Sequence, residues 1–597
     1  DPVGVEIARL RLWLKIVDRG WEPEYGRLPN IELNIVSGNS LVGLPVEVAG
    51  QASVDQFTDR IQELIDLRED YKQDNAVDKE DVLDTLEELR EELDDEYLKR
   101  LNHTFDDRIT DREKFDAVVD GNDGNTLHPE IEVVKVQRAD DDPLTDDDKD
   151  RLEGLGFRTY KNSGRLEIDS RHEDLRTGGT GTVSHADARE TIVNDLRGLI
   201  DDHFVFNAVV RQPVKWDLNN ILGDPFHWVA EFPEVSKRNG LRRTVDFDII
   251  VGNPPYGDIL RESEKGLVDF YRMGDINEVS AQFVERKLEI LSDDGFFGNV
   301  TTLRLVHQSS IGELHDILRE TLDLTRIACF GLRGRTGVFD AVLIRVSIIT
   351  GQKATDRDGE IHTSDLLVFN DENRQQRFNN IEYNPTEGLV LTDRIGGEDA
   401  NRAILPKIGP DVKLNLLKKL KRRSGKTFSD LFSKDPDDVG SDEHAVWRVR
   451  GGGYWITPML EELYSAQDVD PMYFETELER KTVFLIMNSS VFFVYWMTYG
   501  NQYLLNWIHV NGFPYPDGEV VGENSEEIIA MADAFWERMQ DVFVKRKSNR
   551  GDFQMSPLRP VINELDEFVG ELYGLSDEEV EYVQNYLTDF DDGSART

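Results

Sequence analysis

The sequence predicts an α/β protein: a doubly wound sheet interrupted by a large, mainly helical insertion and followed by a C-terminal α+β domain. Three observations predict it. Apolar strands alternate with amphipathic helices from Phe247 to Ile349, the pattern of strands joined by crossover helices. Residues 44–225 instead carry apolar stripes at helical spacing among dense Glu, Asp and Arg, and residues 401–575 hold apolar segments of their own. At 597 residues and 39% hydrophobic content, the chain has the length of about three to five domains.

Taken in order, residues 1–43 open the sheet domain. Pro2 stands where a helix needs no N–H, and Val5, Ile7, Ala8, Leu10, Leu12, Trp13, Leu14 and Ile16 follow at helical spacing. A helix this close to residue 1, which is Asp, is expected where a preceding strand has been cut away. Ile31 to Val36 reads as a strand ending in the turn Gly38-Asn39-Ser40-Leu41. In a nucleotide-type fold that turn is where the Asn39 side chain meets an adenine, although an Asn that caps its own turn fits the local sequence as well.

Within residues 44–225, Ile61, Leu64 and Ile65 and then Val82, Leu86, Leu89, Leu93 and Tyr97 predict a helical hairpin whose stripe is a packing seam. Asp140 to Asp142 and Asp146 to Asp148 fall in polar loops with short strands. They lack the spaced Gly and terminal Glu of a calcium loop and read as solvated surface, so no metal site is expected. Residues 226–350 resume the sheet domain: the aromatic segment Phe226-His227-Trp228 predicts a lid or packing strip with a core His227. The strand Phe247 to Gly252, helix Gln282 to Leu291, strand Gly295 to Val300, helix Ile311 to Leu322, and strands Arg326 to Phe330 and Val338 to Ile349 follow. Residues 351–400 read as a polar linker, 401–575 as the C-terminal domain, and 576–597 as a frayed acidic tail.

The segment with the most chemistry is Asn253-Pro254-Pro255-Tyr256, directly after the strand. In open α/β sheets, ligands bind outside the carboxyl ends of strands, where this loop lies. The Asn253 side-chain oxygen and the Pro254 carbonyl are two acceptors for the two hydrogens of an amine. Consecutive prolines stiffen the loop, and Tyr256 adds a flat face for a ring. An aromatic amine conjugated to its ring is a poor nucleophile, and two acceptors on its hydrogens localise its lone pair without a strong base.

Formal charge is −48, from 69 Lys and Arg against 117 Asp and Glu spread along the whole chain. That balance normally argues against nucleic acid. A proteome adapted to molar salt accounts for it otherwise, since self-repulsion is screened within about 3 Å at 1 M. Local basic islands then become informative: Lys418, Lys419, Lys421, Arg422 and Arg423; Arg238, Arg242 and Arg243; and Lys545, Arg546, Lys547 and Arg550. They are the candidates for phosphate contacts, the first above all. The single cysteine, Cys329, in an apolar stretch, reads as core and excludes a disulfide framework. No apolar run of membrane-spanning length and no targeting segment is present, which predicts a cytoplasmic protein with no membrane partner.

Together these residues carry a resemblance. The helix with Ala8-Arg9-Leu10-Arg11-Leu12-Trp13, the Gly38-Asn39-Ser40-Leu41 turn, the helical insertion, Phe226-His227-Trp228 with Glu231-Phe232-Pro233-Glu234-Val235, and Asn253-Pro254-Pro255-Tyr256 occur in one order. That order resembles the large adenine-specific DNA methyltransferases of the Eco57I-like group, modification methylases of type II restriction-modification and phage-defence systems. The resemblance implies a Rossmann-like S-adenosylmethionine-dependent catalytic domain and a C-terminal target-recognition domain, with Asn488-Ser489-Ser490 through Phe513-Pro514 as the similar stretch. It implies double-stranded DNA and restriction or defence subunits as partners, and an adenine extruded from the duplex as substrate. By position, Asn253, Pro254, Pro255 and Tyr256 match the target-amine loop, and Asn39 with Ser40 the contact to the cofactor's adenine. A second stacking aromatic falls at Phe330 or Phe339. The family's Gly-rich cofactor loop and ribose-binding acid have no equivalent here, which marks the chain as an N-terminally shortened form. Two other readings stay open: an amino-group methyltransferase acting on protein or RNA, and a non-catalytic DNA-binding specificity subunit.

Overall fold

The strand that carries the Asn253 loop opens the second of two compact units, Asp1–Arg243 and Thr244–Thr597, of a computed structural model. The structure describes residues 2–18, 32–43, 57–72, 77–101, 104–105, 131–138, 143–155, 157–159, 164–167, 194–199, 204–210, 225–239, 242–260, 268, 271–274, 276–332, 337–339, 344–353, 359–368, 378–392, 403–422, 425–439, 444–449, 459–462, 469–501, 504–545, 551–553 and 556–586.

In the first unit, helix α1 (Pro2–Asp18) runs where the Pro2 start and apolar spacing place it. Helices α2 (Thr58–Lys72) and α3 (Lys79–Leu101) form the expected hairpin, with Ile61, Leu64, Val82, Leu86, Leu89, Leu93 and Tyr97 buried along its seam. Arg60 crosses the hairpin to Glu88 at 2.6 Å. Arg68 is one exception to the solvated charges: at 1% exposure it donates to Leu33 O and Glu231 O and pairs with Glu234 at 3.0 Å. Burial lowers the Arg68 guanidinium from its ordinary pKa, and Glu234 opposes that shift. His227 is a core residue, as expected, bonded through Nε2 to Asp94 at 2.9 Å. The aromatic segment packs on itself, with Phe226 and Trp228 ring centroids 4.9 Å apart.

One expectation for this unit is corrected. The described residues 32–36 form no strand; Glu32–Asn34 are a single 3₁₀ turn, held where Arg9 donates to Ile35 O and Arg68 to Leu33 O. Among its described residues the insertion holds more helix than strand. It contains an antiparallel five-stranded sheet, β1 (Thr104–Phe105), β2 (Ile131–Arg138), β3 (Arg158–Thr159), β4 (Gly164–Glu167) and β5 (Phe204–Val210), in the order β1-β5-β2-β4-β3. β-branched runs such as Ile131 to Val136 outweigh the polar composition around them. Asp146 to Asp148 are the first turn of helix α4 (Asp146–Gly154), capped by Thr145 with Asp148 closing the capping box. Three carboxylates there face the positive end of the helix.

The second unit is built on a six-stranded mixed sheet of β6 (Phe247–Gly252), β7 (Leu291–Thr302), β8 (Leu324–Phe330), β9 (Val346–Gln352), β10 (Glu360–Leu367) and β11 (Asn384–Pro385). The order is β11-β10-β8-β9-β7-β6, with β6 parallel to β7, β8 parallel to β10, and β9 antiparallel to both its neighbours. Helices α5 (Val279–Glu289) and α6 (Gly312–Thr321) are the crossovers, burying Val284, Leu288, Leu314 and Leu318 with Leu291, Phe297, Ile327 and Ile349 of the strands. Cys329 is buried in this core, as expected.

Residues 351–400 are not a linker. β10 lies inside the sheet with Ile361, Thr363, Ser364 and Leu366 buried; Thr363 and Ser364 satisfy their hydroxyls on Pro406 O and Asp365 O, which lets a polar sequence occupy a core strand. Strand β9 also starts later than Val338, at Val346.

The remainder comprises α7 (Asp411–Arg422), a four-stranded sheet of β12 (Phe432–Ser433), β13 (Ala445–Val449), β14 (Met459–Leu460) and β15 (Val469–Phe474), and helices α8 (Glu477–Met487), α9 (Ser490–Tyr499), α10 (Ser525–Asp541), α11 (Arg559–Tyr573) and α12 (Asp577–Tyr586). One core runs from Met273 to Tyr586, so residues 273–350 and 401–575 are not separated in packing. The acidic tail is corrected in part. α12 is packed by Val583 and Tyr586, and Asp365 accepts from Tyr582, Tyr586 and Lys413. No single described helix is long and apolar enough to cross a membrane.

Candidate active site

Strand β6 ends at Gly252, where a Cβ would meet the end of the Lys287 side chain. Lys287 reaches across from α5 to donate to Asn299 Oδ1 at 2.6 Å, and burial lowers its pKa to about 8. The chain then enters the loop with Asn253 exposed, Pro254 buried, Pro255 exposed and Tyr256 half-buried. Gly257, at φ +85, turns it in a conformation that costs glycine little.

A buried carboxylate fixes this loop. Glu278, just before α5, is fully buried; its Oε1 accepts from Gly257 N at 2.8 Å and Ser280 Oγ at 2.7 Å. Its Oε2 accepts from Thr302 Oγ1 and Arg304 Nη1, both at 3.3 Å. Val279 N donates back to Gly257 O at 3.1 Å. The loop is therefore clamped between the start of α5 and the end of β7.

Inside the loop the Tyr256 hydroxyl donates to Asn253 Oδ1. Burial and the charge of Glu278 raise the Tyr256 pKa, so the hydroxyl stays a neutral donor. The oxygen that would accept from an amine thus already holds an O–H in that role. An incoming N–H replaces it, exchanging one hydrogen bond for another rather than desolvating an empty acceptor.

The remaining sequence-predicted residues scatter. Phe330 ends β8 at 1% exposure, packed on Phe378 at 5.1 Å and beside Val346. It cannot present a face to a ring, and this corrects its assignment as a stacking residue; Phe339, 37% exposed, is the accessible one of the pair. Asn39 and Ser40 belong to the first unit. Asn39 Oδ1 accepts from Leu41 N at 3.3 Å and Ser40 O from the Trp228 indole at 3.4 Å, so Asn39 does cap its own turn. On α7, Lys418 and Arg422 are exposed, Lys419 pairs with Glu579 at 2.5 Å, and Lys421 donates to Gly388 O. Arg423, Arg546, Lys547 and Arg550 lie outside the described residues. Sequence reasoning missed Glu278 and Arg304; only a carboxylate at a helix start marks the first, and nothing local marks the second.

Residues 189–334 match the family described as Eco57I restriction-modification methylase, a span that holds β6, the Asn253 loop, Glu278 and β7. That region is similar to Eco57I-like methylases. A curated relative from Methanocaldococcus jannaschii, a putative type II restriction enzyme and methyltransferase, is 23% identical over 305 residues, covering 50% of this chain and 21% of its own length. The chain thus spans about a fifth of that relative. Among solved structures, the type IIL restriction-modification enzyme MmeI in complex with DNA is similar at 12% identity and TM-score 0.30, covering 57% of each chain. The type IIG restriction endonuclease BpuSI is similar at 11% identity and TM-score 0.21, covering 57% of this chain and 53% of its own.

Proposed function

We propose that the chain is the catalytic and target-recognition part of a site-specific DNA adenine methyltransferase of a restriction-modification or related defence system. The observation that carries the proposal is the rigid Asn253-Pro254-Pro255-Tyr256 loop at the carboxyl end of β6, with its acceptor oxygen already holding a hydrogen-bond donor. Asn253 Oδ1 and Pro254 O take the two amine hydrogens and localise the nitrogen lone pair, and the Tyr256 ring supports the extruded base. S-adenosylmethionine supplies the methyl group when bound. Asn39 and Ser40 are proposed to meet its adenine; neither is a carboxylate that could hold ribose hydroxyls, so their part is limited to the base.

The substrate is assigned as DNA from the aromatic content of the second unit and the basic island on α7, where Lys418 and Arg422 are exposed cations. A protein or RNA amine is the second reading, because the loop chemistry fits any amine conjugated to a planar group. Single-molecule sequencing of DNA from cells expressing the parent gene, beside an Asn253→Ala strain, tests the assignment. One adenine-containing motif modified in the parent and lost in the variant is expected. No adenine mark in either strain, with folded protein present in suitable salt, overturns it.

A further inference from the structure

A cleft of about 540 Å³ opens at the carboxyl end of β7, and six of its lining residues are Arg304, His307, Arg345, Asn501, Asn506 and His509. Among the described residues no Asp or Glu lines it, in a chain where 117 of 597 residues are acidic. Burial and the charge of Lys407 push His307 and His509 down to about 3, so both are neutral at ordinary pH and the cationic character of the cleft comes from its arginines.

Arg304 stands out among them. It is 43% exposed, yet braced on two sides: Nη1 on the fully buried Glu278 at 3.3 Å and Nε on Gln308 Oε1 at 2.8 Å. Neither brace uses Nη2. A guanidinium held this way loses little further rotamer freedom on binding, and its planar fork matches an anionic oxygen pair. The same Glu278 holds Gly257, so one carboxylate sets both the Asn253 loop and this arginine. The register agrees: Gly252 pairs with Asn299, which puts Thr302 and Arg304 just beyond the strand end from which the loop departs.

We infer that Arg304 is a phosphate ligand for the DNA strand whose adenine enters the Asn253 loop, with Glu278 as the positioning residue that couples the two. The inference rests on the DNA reading above. An extruded nucleotide drags its flanking phosphates out of helical position, and a cation at fixed distance from the amine acceptors fixes how far the base enters.

The test uses the full chain and duplexes containing the motif found by sequencing. Each duplex carries one neutral methylphosphonate near the target adenine, and binding is read by fluorescence anisotropy. At one position the neutral linkage is expected to weaken the wild-type protein about tenfold, and Arg304→Ala to weaken the natural duplex by a similar factor, with the salt slope reduced by about one. The two losses should not add, and Arg304→Lys should recover part of the affinity. Losses that add in full, or wild-type affinity in Arg304→Ala, overturn the inference while leaving the methylation reading intact. If Arg304→Ala does not fold, Arg304→Gln carries the same comparison. A wild-type protein that binds no duplex and marks no adenine overturns the DNA reading, and this inference with it.

Discussion

The Tyr256 hydroxyl and the Asn253 side-chain oxygen are hydrogen-bonded to each other across the loop that ends β6. The pairing gives the exposed acceptor a partner within the loop before any amine arrives, and it assigns the two halves of the tyrosine different tasks. The ring is a surface; the hydroxyl is a placeholder.

Tyr256→Phe should therefore retain most methyl transfer, its loss limited to about 0.5–1.5 kcal/mol for one hydrogen bond. Tyr256→Ala removes the face and should cost about 1–3 kcal/mol in engaging the base. Asn253→Ala should lower kcat by about 10²–10³, the range for deleting one preorganised polar group at a reacting atom, with DNA binding little changed. Steady-state methyl transfer with binding measured separately checks all three, and full activity in Asn253→Ala would sink the mechanism.

Glu278→Ala leaves the Gly257 amide and the Ser280 hydroxyl without their acceptor and unpairs Arg304. A loss of about 3–5 kcal/mol of stability is expected, and Glu278→Gln, which keeps one acceptor, should lose about 1–3 kcal/mol. Urea unfolding gives both values; equal stability in the two variants would contradict the clamp.

Phe330 and Phe339 should behave in opposite ways. Phe330→Ala opens a cavity in the sheet core and is expected to cost about 3–5 kcal/mol of stability. Phe339→Ala should leave the unfolding midpoint nearly unchanged and, if its exposed ring meets the extruded base, raise KM. A midpoint shift as large as that of Phe330→Ala would show that Phe339 is a packing residue instead.

On α7, Lys418, Lys419, Lys421 and Arg422 divide by their partners. Lys418→Ala and Arg422→Ala should each weaken DNA binding uniformly across sequences and lower the salt slope by about one, with the modified motif unchanged. Lys419→Ala breaks the pair with Glu579 and should instead loosen α12. Salt titrations of binding, followed by methylome sequencing, distinguish these outcomes.

Asp566 sets a pH dependence. Burial raises its pKa from 3.8 to about 7, while Ser490 N donates to its Oδ1 at 2.6 Å. A raised folded-state pKa gives stability that is fully present below the unfolded value and lost as pH rises toward about 7. Asp566→Asn keeps the acceptor and cannot ionise, so its stability relative to wild type should increase from pH 4 to about 7 and level off above. A difference independent of pH would show that Asp566 is already ionised throughout.

Local chemistry made much of this protein legible in its residues. Asn253-Pro254-Pro255-Tyr256 after an apolar strand, the hairpin stripe from Ile61 to Tyr97, Cys329 and the core His227 all depend on neighbours a few positions away, or on one apolar face, and sequence carries such information directly. Tertiary structure decided the rest, because the deciding partners are far apart in the chain. Thr363 and Ser364 became a core strand only because Pro406 and Asp365 carbonyls satisfy their hydroxyls, and α12 is ordered because Tyr582 and Tyr586 reach Asp365. Phe330 lost its stacking role to Phe378, and Glu278 gained its own by standing within bonding distance of Gly257, Thr302 and Arg304 at once. A side chain's chemistry is set by its type, whereas its availability is set by what the fold packs against it.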